Sequence, residues 1–94
     1  TARALATQHH NHEALMLVLN GFGNYAMFAY DDVYTAISYY FQALEEAKYT
    51  DNRRQYAMIL SNISGAYFMR NDFSGLVYAE EAVDIAHTSG SYGY

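Results

Sequence analysis

The chain contains no cysteine, no proline, no tryptophan and only one lysine, Lys48. Without cysteine it can form no disulfide, no thiolate metal site and no cysteine nucleophile. That fits a reducing compartment, and a cytoplasmic location is the expectation. Positive charge is scarce: Lys48 and four arginines face ten acids, for a net charge of −5. Phosphate-backbone binding needs a basic face. Only Arg53-Arg54 is locally basic, so no nucleic-acid partner is expected. Long apolar runs are also missing. The run from Ala14 to Leu19 is far below the roughly 20 residues of a membrane-spanning helix, so no membrane segment is expected. Thr1 to His12 lacks the apolar stretch of a secretory signal.

What the chain does have is apolar and aromatic. Hydrophobic residues make up 52% of its 94 residues and aromatic residues 17%, eleven of them tyrosine. This length supports one small domain, which buries about 60–65% of its unfolded surface. The apolar content is ample for a core. Tyrosine packs its ring and keeps a polar handle, which suits half-buried positions between helices and at interfaces. The opening Thr1-Ala2-Arg3-Ala4-Leu5-Ala6 reads as the end of a helix, as in a piece of a longer protein.

The chain also says nearly the same thing twice. Leu19-Asn20-Gly21-Phe22-Gly23-Asn24-Tyr25 returns 41 residues later as Leu60-Ser61-Asn62-Ile63-Ser64-Gly65-Ala66. Ala36-Ile37-Ser38-Tyr39-Tyr40-Phe41-Gln42-Ala43-Leu44 returns more loosely, 39 residues later, from Gly75 to Val83. A period of about 40 residues is the mark of a helical repeat.

Polar breaks divide the chain at Gln8–His12, Tyr30–Asp32, Thr50–Asn52 and Arg70–Asp72, and a glycine-rich tail closes it. Between the breaks, apolar residues recur at helical spacing. The first full helix is predicted from Glu13 to Ala29, with Leu15, Leu19, Phe22 and Ala26 on its inward stripe and Ala14, Val18 and Tyr25 beside it. The second runs from Val33 to Tyr49, with Ala36, Tyr40, Ala43, Leu44 and Ala47 inward. The third runs from Arg53 to Arg70, capped by Asp51, with Tyr56, Leu60, Ile63 and Tyr67 inward. The fourth runs from Phe73 to Thr88, capped by Asp72 and ended by Gly90. Ala2 to Thr7 read as the last turns of a preceding helix. Short connections make neighbouring helices antiparallel. Gly23, Ala36, Ala43, Ser64 and Ala82 let them approach closely. The expected fold is all-α, with stacked antiparallel helical hairpins. The expected organisation is one domain: 1–12 the end of a preceding helix and its turn, 13–52 one repeat, 53–90 a second, 91–94 a tail.

On these residues the chain resembles the tetratricopeptide repeat. That motif pairs a first helix reading W-x2-L-G-x2-Y with a second carrying spaced Ala, aromatic and Ala positions. The first-helix pattern is Leu19, Phe22, Gly23 and Ala26, then Leu60, Ile63, Ser64 and Tyr67. The second-helix pattern is Ala36, Tyr40 and Ala43, then Gly75, Ala79 and Ala82. Asn71-Asp72-Phe73 looks like the family's Gly-Asp-Tyr turn. Both copies lack tryptophan at the first motif position, and no proline ends either second helix. The similarity is to the longer variant, of about 40 residues per repeat, found in bacterial signalling and transcription regulators and in adaptor scaffolds.

The resemblance implies a right-handed α-solenoid fragment whose first helices line a concave, partner-binding face. The groove positions it implies are Leu17, Asn20, Asn24, Met27 and Phe28 in the first copy. In the second they are Met58, Asn62, Phe68 and Met69. Gly21, Ser61 and Gly65 lie between them. Asn24 and Asn62 fall where the family's carboxylate-clamp proteins place peptide-holding asparagines. Asn20 stands where that clamp has a lysine, and a clamp without cations loses its charge-assisted bonds. A groove of Met, Phe and Asn fits an apolar helix or extended peptide better, because Met adapts to irregular surfaces.

Other constellations point to no chemistry. His9, His10 and His12 could bind a divalent ion, but in a predicted turn they read as a solvated connection, and no metal or cofactor is expected. Asp31-Asp32, Glu45-Glu46 and Glu80-Glu81 are adjacent acids, which on a helix point about 100° apart and do not converge on one atom. Gly21-Phe22-Gly23 lies inside a helical pattern and follows no strand, so it is no phosphate loop. The expected function is a non-enzymatic module that binds a protein or peptide within a larger signalling protein. The alternative is a structural dimerisation segment with no peptide ligand. Stable arrays need about three repeats. Phe73, Leu76, Tyr78 and Val83 lie on the terminal hairpin, so that end is expected to be covered by self-association or by Tyr92 and Tyr94 packing back.

Overall fold

The computed structural model describes residues 2–88, with the side chains of 11–87 placed. It consists of α1 (Ala2–Ala29), α2 (Val33–Ala47), α3 (Arg53–Met69), a single 3-10 turn (Phe73–Gly75) and α4 (Leu76–Thr88). There is no strand among the described residues. No helix among the described residues is long and apolar enough to cross a membrane. Gly90, Tyr92 and Tyr94, expected to end and cover the last helix, lie outside the described residues.

The break expected at Gln8–His12 is not there: α1 runs unbroken through it. Histidine and asparagine in a helix interior cost well under about 1 kcal/mol each. With no glycine or proline before Gly21, nothing stops the helix. His12 is also anchored, its Nδ1 2.7 Å from Glu46 Oε1 and its ring stacked on Tyr49 at 4.6 Å.

The other three breaks are turns closed by side chains. Asp32 caps α2, accepting from the Thr35 amide at 3.1 Å and the Thr35 hydroxyl at 2.7 Å. Asn52, rather than the expected Asp51, caps α3 by accepting from the Gln55 amide at 3.1 Å. Asp72 accepts from the Ser74 amide at 3.0 Å. Each side-chain oxygen satisfies an amide that the first helical turn leaves free. The turns after α1 and α3 share a device. Asp31 (φ 54°) and Asn71 (φ 58°) occupy the left-handed region, which these two residue types tolerate, and each precedes a capping aspartate. After α3 the closure is a Schellman motif, with Asn71 N–H on Phe68 O and Asp72 N–H on Tyr67 O, both 2.9 Å.

Contacts between α1 and α2 run in opposite senses: His12 meets Glu46, Phe22 meets Tyr39 and Asn24 meets Tyr40. The Asn71-Asp72 turn sends α4 back along α3, where Tyr67 stacks on Tyr78 at 5.8 Å. α2 packs against both α1 and α3. α1 and α3 run in the same sense, since Glu13 bonds Asn52 and, further along both helices, Asn20 bonds Asn62.

The core lies where these helices meet. Ala36, Tyr40, Ala43, Leu44 and Ala47 of α2 are all buried as expected, as are Leu60 and Ile63 of α3. On α1 the expectation was turned by about one residue. Met16, Asn20, Gly23, Ala26 and Met27 are buried, whereas Leu15 and Phe22 are about half exposed. α1 is apolar around much of its circumference, so the position of α2 and α3 decides which stripe is covered.

Candidate partner-binding face

The parallel pair α1 and α3 presents most of the candidate groove. Its register is set by two side-chain bonds close to the sequence repeat. Asn52 Nδ2 donates to Glu13 Oε1 at 3.1 Å, across 39 residues. Asn62 Nδ2 donates to Asn20 Oδ1 at 3.0 Å, across 42 residues. Phe28 and Met69, 41 apart, therefore stand at equivalent levels at the C-terminal ends of α1 and α3.

The nine groove residues divide by environment. Leu17, Phe28, Phe68 and Met69 are exposed, Phe28 at 77% and Met69 at 58%. Asn20 and Met27 are buried. The Asn20 side chain is spent on Asn62, and Met27 is part of the core. Asn24 is half-buried and turned towards α2, accepting from the Tyr40 hydroxyl at 2.6 Å. Burial pushes the Tyr40 phenol pKa above its ordinary value, which keeps it protonated as that donor. Met58 is exposed but lines a cleft between α3 and α4. The three asparagines thus hold helices to one another, and Leu17, Phe28, Met58, Phe68 and Met69, the candidate positions left exposed, are apolar.

The structure adds neighbours at the Phe28/Met69 end. Phe73 packs edge-on to Phe68 with ring centres 6.3 Å apart. Arg70 lies over the Tyr34 ring at 4.2 Å and donates from Nη2 to its hydroxyl at 2.6 Å. Tyr34 and Arg70, with Ile37, Tyr67 and Asp72, line a hollow of about 230 Å³. The separation of 36 positions between Tyr34 and Arg70 hides this pair from any local spacing rule.

His12 is engaged with Glu46 and Tyr49. The side chains of His9 and His10 lie outside the described residues. No three metal-ligating side chains converge among the described residues. The chain matches no protein-family model, no curated protein and no solved structure.

Proposed function

We propose that the protein is a non-enzymatic interaction module. Two tetratricopeptide-like hairpins stack in solenoid fashion, and the α1/α3 face receives an apolar helix or an extended peptide from a protein partner. The observation that carries this reading is the row of large apolar side chains left open along two parallel helices: Leu17 and Phe28 on α1, Phe68 and Met69 on α3. Contiguous exposed apolar patches mark interaction sites more than isolated ones do. Unbranched Met beside rigid Phe gives a surface that adapts and still anchors. The polar groups beneath are already paired, so a ligand gains affinity there mainly by burying apolar area.

A displayed library of peptides panned on the 94-residue chain tests this. Apolar peptides should be recovered, and Phe28→Ser with Met69→Ser should weaken their binding at least about tenfold, or about 1.4 kcal/mol. Recovery of no peptide, or equal affinity for the double variant, would overturn the reading. Asn24 and Asn62 are poor probes, because replacing them removes bonds between helices. The second reading, a structural self-association segment of a signalling regulator, is favoured by a different observation: apolar surface stands open on the outer sides of both α1 and the α3/α4 pair.

A further inference from the structure

Comparing each helix with its internal copy separates the surfaces that stacking covers from those it leaves open. At the 41-residue offset, Val18, Phe22 and Tyr25 of α1 correspond to Ile59, Ile63 and Ala66 of α3. The α1 residues are 50%, 51% and 59% exposed, and the α3 residues are fully buried. Among the described residues, α3 rests on the α1/α2 pair and no helical pair packs on the corresponding side of α1. The opposite side of the molecule shows the converse. Asn20, Tyr40 and Leu44 of the first pair are buried, Asn20 against Asn62 of α3. Their counterparts Ser61, Ala79 and Val83 line an open cleft of about 340 Å³ between α3 and α4. Among the described residues there is therefore an open stripe on one side and, on the other, the kind of seat into which that stripe's counterpart already fits.

We infer that the occupant of the α3/α4 cleft is α1 of a second copy of this chain, joined head to tail. Three observations select it. α1 is the internal copy of α3, the helix that fills the equivalent seat on the first pair. Its exposed stripe is the one that α3 buries there. Size is also complementary: Ala79 replaces the buried ring of Tyr40 in the cleft floor, while Phe22 and Tyr25 are bulkier than Ile63 and Ala66. The junction continues the α1/α2-to-α3 packing from one chain to the next. It is heterologous, with different surfaces on the two partners, so it does not close on itself as a twofold dimer does. This inference rests on the stacked-repeat reading and is independent of whether the α1/α3 face takes a peptide.

Sedimentation of two single variants and their mixture tests it. Val18→Glu charges the stripe and Val83→Glu charges the cleft. Both positions are about half exposed, so helical circular dichroism should be retained. Should Val18→Glu lose helicity, Phe22→Ser serves in its place. The unmodified chain should show a mass that rises with concentration beyond a dimer. Each variant alone should remain a monomer at the same concentrations. Their mixture should give a one-to-one dimer that grows no further, because only one competent stripe and one competent cleft remain. A monomeric unmodified chain, a dimer that survives either substitution, or a mixture without heterodimer would overturn the inference. None of these outcomes bears on peptide binding at Phe28 and Met69.

Discussion

Gly23 and Gly75 mark close approaches, Gly23 to α2 and Gly75 to α3. A Cβ on Gly23 would fall 2.5 Å from Tyr40 Cε1, and one on Gly75 would fall 2.9 Å from the Ser64 carbonyl oxygen. Gly21 and Gly65 would meet nothing within 4 Å. The four glycines should therefore divide in urea unfolding. Gly21→Ala and Gly65→Ala should raise stability by about 0.5–1 kcal/mol through helix propensity. Gly23→Ala and Gly75→Ala should lower it by about 1–3 kcal/mol through overpacking. Tyr40 adds a pH dependence. Its raised pKa means the fold prefers the neutral phenol. That contribution is complete below the unfolded value of about 10 and is lost as pH rises through the higher native value. Tyr40→Phe should cost about 1 kcal/mol at neutral pH by leaving Asn24 without its donor, and should make the alkaline loss of stability shallower. A series of unfolding curves across pH checks both.

Among the elements, the caps are the testable parts. Asn52→Ala should destabilise by about 1 kcal/mol, and Asp51→Ala should stay within about 0.5 kcal/mol of the parent. Asp32 and Asp72 are held below the usual carboxylate range, mainly by the hydrogen bonds they accept from Thr35 and Ser74. Their stabilisation is present above about pH 4 and is lost as pH falls through the lowered native values. Asparagine caps as well as aspartate and carries no charge. Asp32→Asn with Asp72→Asn should therefore flatten the acid limb of stability at little cost near neutrality. The three breaks that hold are those where an aspartate or asparagine can fold back on a free amide, a signal written in the residues themselves. Gln8–His12 was polar without being a stop. The inward faces of α2 and α3 were largely readable, because apolar residues there alternate with polar ones. That of α1 was not, because Leu15, Val18, Phe22 and Tyr25 are as apolar as the residues that α2 and α3 cover.

Among the described residues, two cross-helix bonds join positions 39 and 42 apart, and positions 41 apart on α1 and α3 differ in burial. The helices that carry Leu17, Phe28, Phe68 and Met69 could be read from the sequence. The roles of the asparagines could not. A side chain suited to holding a peptide is equally suited to holding a neighbouring helix, and only the distance from Asn62 to Asn20 decides between them. Central to the proposed function is binding of a partner by the apolar side chains of the open α1/α3 face. Amide chemical-shift mapping with a library-selected apolar peptide tests it most directly. Shifts should concentrate at Leu17, Phe28, Phe68 and Met69, with the α4 residues Val77 and Val83 unmoved. Shifts concentrated on α4, or spread evenly over the chain, would contradict it.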